Sequence, residues 1–124
     1  MGNESTGILK VAMRLVGLIF IFGIYLLMQV WPSGWTWHTG VSHYPPMIIG
    51  VYATLGVFLL LASRNPHANL GLIWFTVWSS VVHAGIMAYQ SFTYPDQRGH
   101  LWGDVAALMV VAILLAVPTP KRLA

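Results

Sequence analysis

The chain has no cysteine and very little charge. Only 7% of its 124 residues are charged, six of them Lys or Arg and three Asp or Glu. Without cysteine there is no disulfide exchange, no thiolate metal site and no haem attached through Cys-x-x-Cys-His. A soluble domain carries roughly a quarter charged residues, so this composition argues against one. The net charge of +3 comes from basic residues scattered at the ends of apolar segments. A nucleic-acid surface would gather them in a patch, so no nucleic-acid partner is expected.

What the chain has is hydrophobic length, with 57% apolar residues. Four runs fill it: Leu15–Trp31, Met47–Ala62, Leu70–Phe92 and Leu101–Val117. A membrane helix needs ~20 apolar residues to cross ~30 Å of hydrocarbon, and each run is near that length. The reading is all-α: one membrane domain over residues 1–124, folded as an antiparallel bundle of four transmembrane helices at about 8–31, 46–62, 70–92 and 100–117. Pro45-Pro46 opens the second helix, because a first turn does not need proline's missing N–H. Asn65-Pro66, Tyr94-Pro95 and Pro118 mark turns and ends. The first run is a retained helix, since Gln29-Val30-Trp31-Pro32 offers no small-x-small cleavage site. The missing cysteine pair excludes a vitamin K epoxide reductase type of membrane enzyme.

Basic residues orient the bundle. Lys10, Arg14, Arg64, Lys121 and Arg122 fall on one side, and only Arg98 on the other. The positive-inside rule puts both termini in the cytoplasm. Trp31, Trp35, Trp37 and Trp102 collect at the opposite, outer level, where indole rings favour the headgroups. Gly50, Ala53, Thr54 and Gly56 give the second helix a small-residue face suited to close helix packing.

Polar side chains inside the runs are the candidates for function, because they are costly in lipid. Thr76, Ser80, His83, Met87 and Gln90 recur at steps of four, three, four and three, which is one face of the third helix. His100 and Asp104 are four apart on the fourth, and Tyr25 and Gln29 four apart on the first. Tyr52 is the main polar group of the second. A rise of ~1.5 Å per residue places His83 ~13 Å from the outer end, Tyr52 and Tyr25 ~9 Å, Asp104 ~6 Å and Gln29 ~3 Å. A His83–Asp104 contact, direct or through water, is therefore expected in the outer half, with the inner half closed.

Three chemistries fit that cluster. His83, His100 and Asp104 are a candidate metal set, since imidazole and carboxylate suit zinc, iron or copper; HExxH is absent. A carboxylate beside a buried imidazole suits proton transfer. The third is recognition of a small ligand by His83, Asp104, His100, Tyr52, Tyr25, Gln29 and Met87. A purely structural role stands beside these, with Asp104 steadied by the helix dipole and His83 bonded to Ser80, Tyr52 or water. His38 and His43 lie in the outer loop and His67 on the far side. Only His83 is deep, so a haem held between two histidines is not expected; a quinone remains compatible. The first helix lacks the acidic residue of the small multidrug-resistance transporters, so their mechanism does not carry over.

The segments Trp74–Met87 and Arg98–Val105, the latter containing His100-Leu101-Trp102-Gly103-Asp104, resemble those of an uncharacterised family of small bacterial four-helix membrane proteins. Ala106 stands where that pattern has proline, so no kink is carried over. The resemblance implies a bacterial inner membrane and no particular activity. A looser likeness, at fold level alone, is to the DoxX-like membrane proteins.

The expected protein is a multi-pass inner-membrane protein that binds or senses a small ligand in a polar pocket open to the outer face. The alternatives are an oxidoreductase component or other enzyme moving protons through His83 and Asp104, and a structural subunit. The expected partners are the lipid bilayer and a membrane protein or second copy of the chain.

Overall fold

A computed structural model describes residues 3–36 and 44–120. The described residues are almost entirely helical. α1 (Asn3–Leu18) runs through a π-helical turn (Ile19–Gly23) into α2 (Ile24–Val30), and a single turn, α3 (Pro32–Trp35), follows. α4 covers Tyr44–Ala62. A short 3-10 segment (Pro66–Asn69) leads into α5 (Leu70–Thr93), and a longer one (Pro95–Leu101) precedes α6 (Asp104–Ala116).

Among the described residues, three stretches are long and apolar enough to cross a membrane: Thr6–Val30, Pro66–Thr93 and Pro95–Ala116. Pro46–Ala62, within α4, is apolar but shorter. The 19 residues of α4 reach ~28 Å at helical rise, close to the hydrocarbon thickness. The first helix begins at Asn3, earlier than the sequence reading places it. The last begins at Asp104 rather than near residue 100, because Gly103 (φ −98°, ψ −108°) leaves the helical region.

α4 packs on α1, and α5 packs on α6. The first pair is drawn together by glycines: a Cβ on Gly17 would lie 2.9 Å from the carbonyl oxygen of Gly56. Close backbone approach of this kind is what small residues allow between membrane helices. It uses Gly56 of the small-residue face within the molecule, while Gly50 looks onto open space.

The buried positions of α1, Leu9, Met13, Val16 and Phe20, form one helical stripe. They meet Leu59, Ile73, Val77 and Leu115 in the main core. Polar ties close this end. Arg14 Nε donates to Ser63 Oγ at 3.1 Å, Trp74 Nε1 donates to the Pro120 carbonyl at 2.8 Å, and Thr6 Oγ1 lies 3.1 Å from His67 Nε2. At the opposite end a smaller cluster of Ala84, Met87, Val105 and Leu108 stands apart from the main core.

Candidate functional site

The smaller cluster stands apart because a cavity of about 370 Å³ lies beside it, within the usual range for small-molecule sites. Every helix from α2 to α6 contributes to its wall. Ile24 and Met28 come from α2, Trp35 from α3, and Ile48, Ile49 and Tyr52 from α4. His83, Met87 and Gln90 come from α5, and Asp104 and Leu108 from α6.

The polar stripe of α5 faces inward as its spacing requires. Thr76, Ser80 and Met87 are buried, His83 is half-buried, and Gln90 reaches the exposed rim. The stripe changes character along its length. Thr76 donates back to the Leu72 carbonyl at 2.9 Å, while His83 looks across to α4. There the Tyr52 hydroxyl and His83 Nδ1 share a hydrogen bond. Their rings also stack, with centroids 5.7 Å apart and planes 23° from parallel. Phe20 meets Tyr52 edge-on at 5.0 Å, holding the phenol in place.

The second pair lies on the other wall. His100 Nδ1 is 3.0 Å from Asp104 Oδ1, and His100 Nε2 is 3.2 Å from the carbonyl oxygen of Thr36. Both ring nitrogens thus face oxygen atoms, one on each side of the imidazole. Asp104 at the start of α6 also meets the positive end of that helix.

This assembly depends on α3 lying flat on the 95–101 segment. Glycine makes that possible: a Cβ on Gly103 would run into the Gly34 carbonyl, and one on Gly99 would come 2.6 Å from the Ser33 carbonyl oxygen. The contact brings Thr36 to His100 and turns Trp35 inward. Trp35 Nε1 is buried and has no hydrogen-bond partner among the described residues.

The structure therefore brings together His83, Tyr52, Asp104 and Met87 around one cavity and places His100 behind Asp104. His83 and Asp104 share that cavity through two separate pairs: His83 bonds Tyr52, and Asp104 bonds His100. Tyr25 and Gln29 do not join. Both are exposed, and the cavity is lined instead by Ile24 and Met28. These continue the buried stripe from Phe20 in steps of four, whereas Tyr25 and Gln29 sit one residue further round, ~100° away.

The metal set of His83, His100 and Asp104 does not assemble among the described residues. Both nitrogens of His100 are engaged, which leaves no lone pair to coordinate a cation. His38 and His43 lie outside the described residues.

Two side chains with polar groups at the cavity stand outside the expected ligand set. Gln90 is on the inward stripe that the sequence defines, and its spacing from Met87 already points to the cavity. Trp35 carried no such signal. Trp31 and Trp102 are exposed, as a headgroup belt requires, and nothing in the sequence separates Trp35 from them.

Long apolar helices enclosing a cavity with paired acid–base side chains define a helical membrane protein with a built internal site. The chain belongs to the family of unknown function DUF6632, whose profile matches residues 4–121. No curated protein and no solved structure matches the chain.

Proposed function

We propose that this protein binds or senses a small ligand in the cavity between α2, α4, α5 and α6. The observation that carries this reading is the cavity itself. It is a mostly apolar chamber of about 370 Å³ into which Tyr52, His83, Gln90 and Asp104 converge. A few placed polar groups in an apolar wall are the general pattern of ligand sites.

In the same reading the chain crosses the membrane four times as an antiparallel bundle, α4 included, with both termini cytoplasmic. The charge distribution supports this orientation, and it puts the cavity in the outer half. The bacterial inner membrane follows from the sequence resemblance.

A second reading, proton transfer in a membrane oxidoreductase or related enzyme, is favoured by one specific feature. Tyr52–His83 and His100–Asp104 are both pairs able to pass a proton, and both border the same chamber.

The test is to extract small molecules from the purified protein and from a Leu108→Trp variant that fills the chamber. The expected result is a molecule retained by the wild type and lost from the folded variant. Identical extracts from the two proteins would overturn the ligand reading. Loss of cellular function in His83→Phe with the ligand still bound would favour proton transfer.

A further inference from the structure

A second cavity, of about 330 Å³, adjoins the first. Its wall is Met47, Ile48, Val51, Tyr52 and His83. Ile48, Tyr52 and His83 therefore belong to both chambers. The residues that belong to the second alone, Met47 and Val51, are 61% and 67% exposed on the outward side of α4. In a membrane helix that side meets lipid. The packing explains why a slot exists here: α4 is held by α1 and α5 by α6, while α4 and α5 make no comparable contact. The Tyr52–His83 hydrogen bond spans the gap between them.

The chemistry of the two chambers differs in a useful way. The outer one offers apolar side chains up to the Tyr52–His83 wall. The inner one adds Trp35 Nε1, a buried donor with no partner among the described residues, and the Gln90 amide. A buried donor left unpaired is unfavourable, so an acceptor arriving there is favoured. Among the described residues no Lys or Arg lines either chamber, and the Asp104 carboxyl on the inner wall disfavours an anionic head. An apolar approach, an unpaired donor and a wall without a cation together favour an uncharged, oxygen-bearing head.

We propose that the occupant is an uncharged, oxygen-headed amphiphile, such as a monoacylglycerol or long-chain alcohol, and that it arrives sideways from the bilayer through the slot between α4 and α5. Its head oxygen accepts from Trp35 Nε1, with Gln90 alongside. Its chain lies along Ile48 and Val51 past the Tyr52–His83 wall. This rests on the cavity being a ligand site and adds the class of ligand and the route.

The test uses the full chain in phosphatidylcholine nanodiscs with a monoacylglycerol carrying a diazirine on the acyl carbons next to the head group, the part expected inside the inner chamber. Labelled positions are mapped by mass spectrometry. The expected labels fall on Met87 and Leu108 inside the chamber, and excess unlabelled monoacylglycerol suppresses them. Val51→Trp, which plugs the outer chamber from an exposed position, should reduce the inner labels several-fold. Phe58→Trp, two turns along the same helix face, should not. Trp35→Phe keeps the ring and removes the donor, and should weaken competition roughly fivefold, the affinity equivalent of one hydrogen bond.

Inner labels undiminished by Val51→Trp would overturn the lateral route while leaving the ligand site standing. Stronger inner labelling by a diazirine fatty acid or a diazirine fatty amine would overturn the uncharged class. If all three probes label only outward residues such as Phe75 and Trp78, the amphiphile proposal is overturned. The small-molecule extracts of wild type and Leu108→Trp then decide separately whether the cavity holds a ligand of any kind.

Discussion

The two ends of this helical bundle are built from the same apolar alphabet and pack in opposite ways. At the end carrying the termini, Leu9, Met13, Val16, Leu59, Ile73 and Leu115 are fully buried, and Gly17 and Gly56 let two backbones touch. At the other end the helix pairs part, and the space between them is edged by Tyr52, His83, Gln90 and Asp104. Interhelical contact in a bilayer gains no hydrophobic term over lipid, so tight packing has to come from shape and dispersion. Where the small residues stop, the helices separate, and the Tyr52–His83 pair spans between them. The hollow end thus has looser packing than the closed one, which keeps its own hydrogen bonds between distant segments.

Five substitutions would break or sharpen that contrast, read as the stability of the purified protein in detergent by denaturant titration with far-ultraviolet circular dichroism. The largest effect should come from Asp104→Ala. It leaves His100 buried with an unpaired ring nitrogen and should cost about 3–5 kcal/mol. A loss below about 1 kcal/mol would mean that the pair does little to hold the hollow end together.

Next come two leucines that should behave unequally. Leu115→Ala, in the closed core, should cost about 2–3 kcal/mol, the low end of core truncations because the reference environment is also apolar. Leu108→Ala, on the cavity wall, should cost about half as much, since fewer contacts are lost. Equal losses would show that both ends are packed alike.

Tyr52→Phe removes the hydrogen bond to His83 but keeps the ring against Phe20. It should cost about 0.5–1.5 kcal/mol. The smallest effect is expected from Tyr25→Phe, within about 0.5 kcal/mol, as for an exposed site without a structural role. A larger loss there would return Tyr25 to the site.

The sequence reading reached the polar stripe of α5 because a helical period of four and three is a local property. Thr76, Ser80, His83 and Met87 could be put on one inward face before any fold was known. It missed the phase of α2 for a related reason. Polarity and depth point to Tyr25 and Gln29, but the inward-facing row of Phe20, Ile24 and Met28 is the better guide. It also joined His83, His100 and Asp104 into one cluster from matched depths. Depth along a helix says nothing about which partner each side chain turns toward, and here His100 is fully engaged by Asp104 and the Thr36 carbonyl.

By itself the sequence determined the all-helical character, the shortage of charge that marks a membrane protein, and the location of the polar side chains in one half of the chain's apolar runs. These follow from composition and period, which act residue by residue. Tertiary structure alone decided that Gly34 and Gly103 bring α3 onto the 95–101 segment. It also turned Trp35 inward and sorted the polar residues into a Tyr52–His83 pair and a His100–Asp104 pair. Those outcomes depend on how far apart helices distant in sequence come to rest. The absence of cysteine and the scarcity of charge had left hydrogen bonding as the means of crossing that gap, and the fold chose which side chains do it.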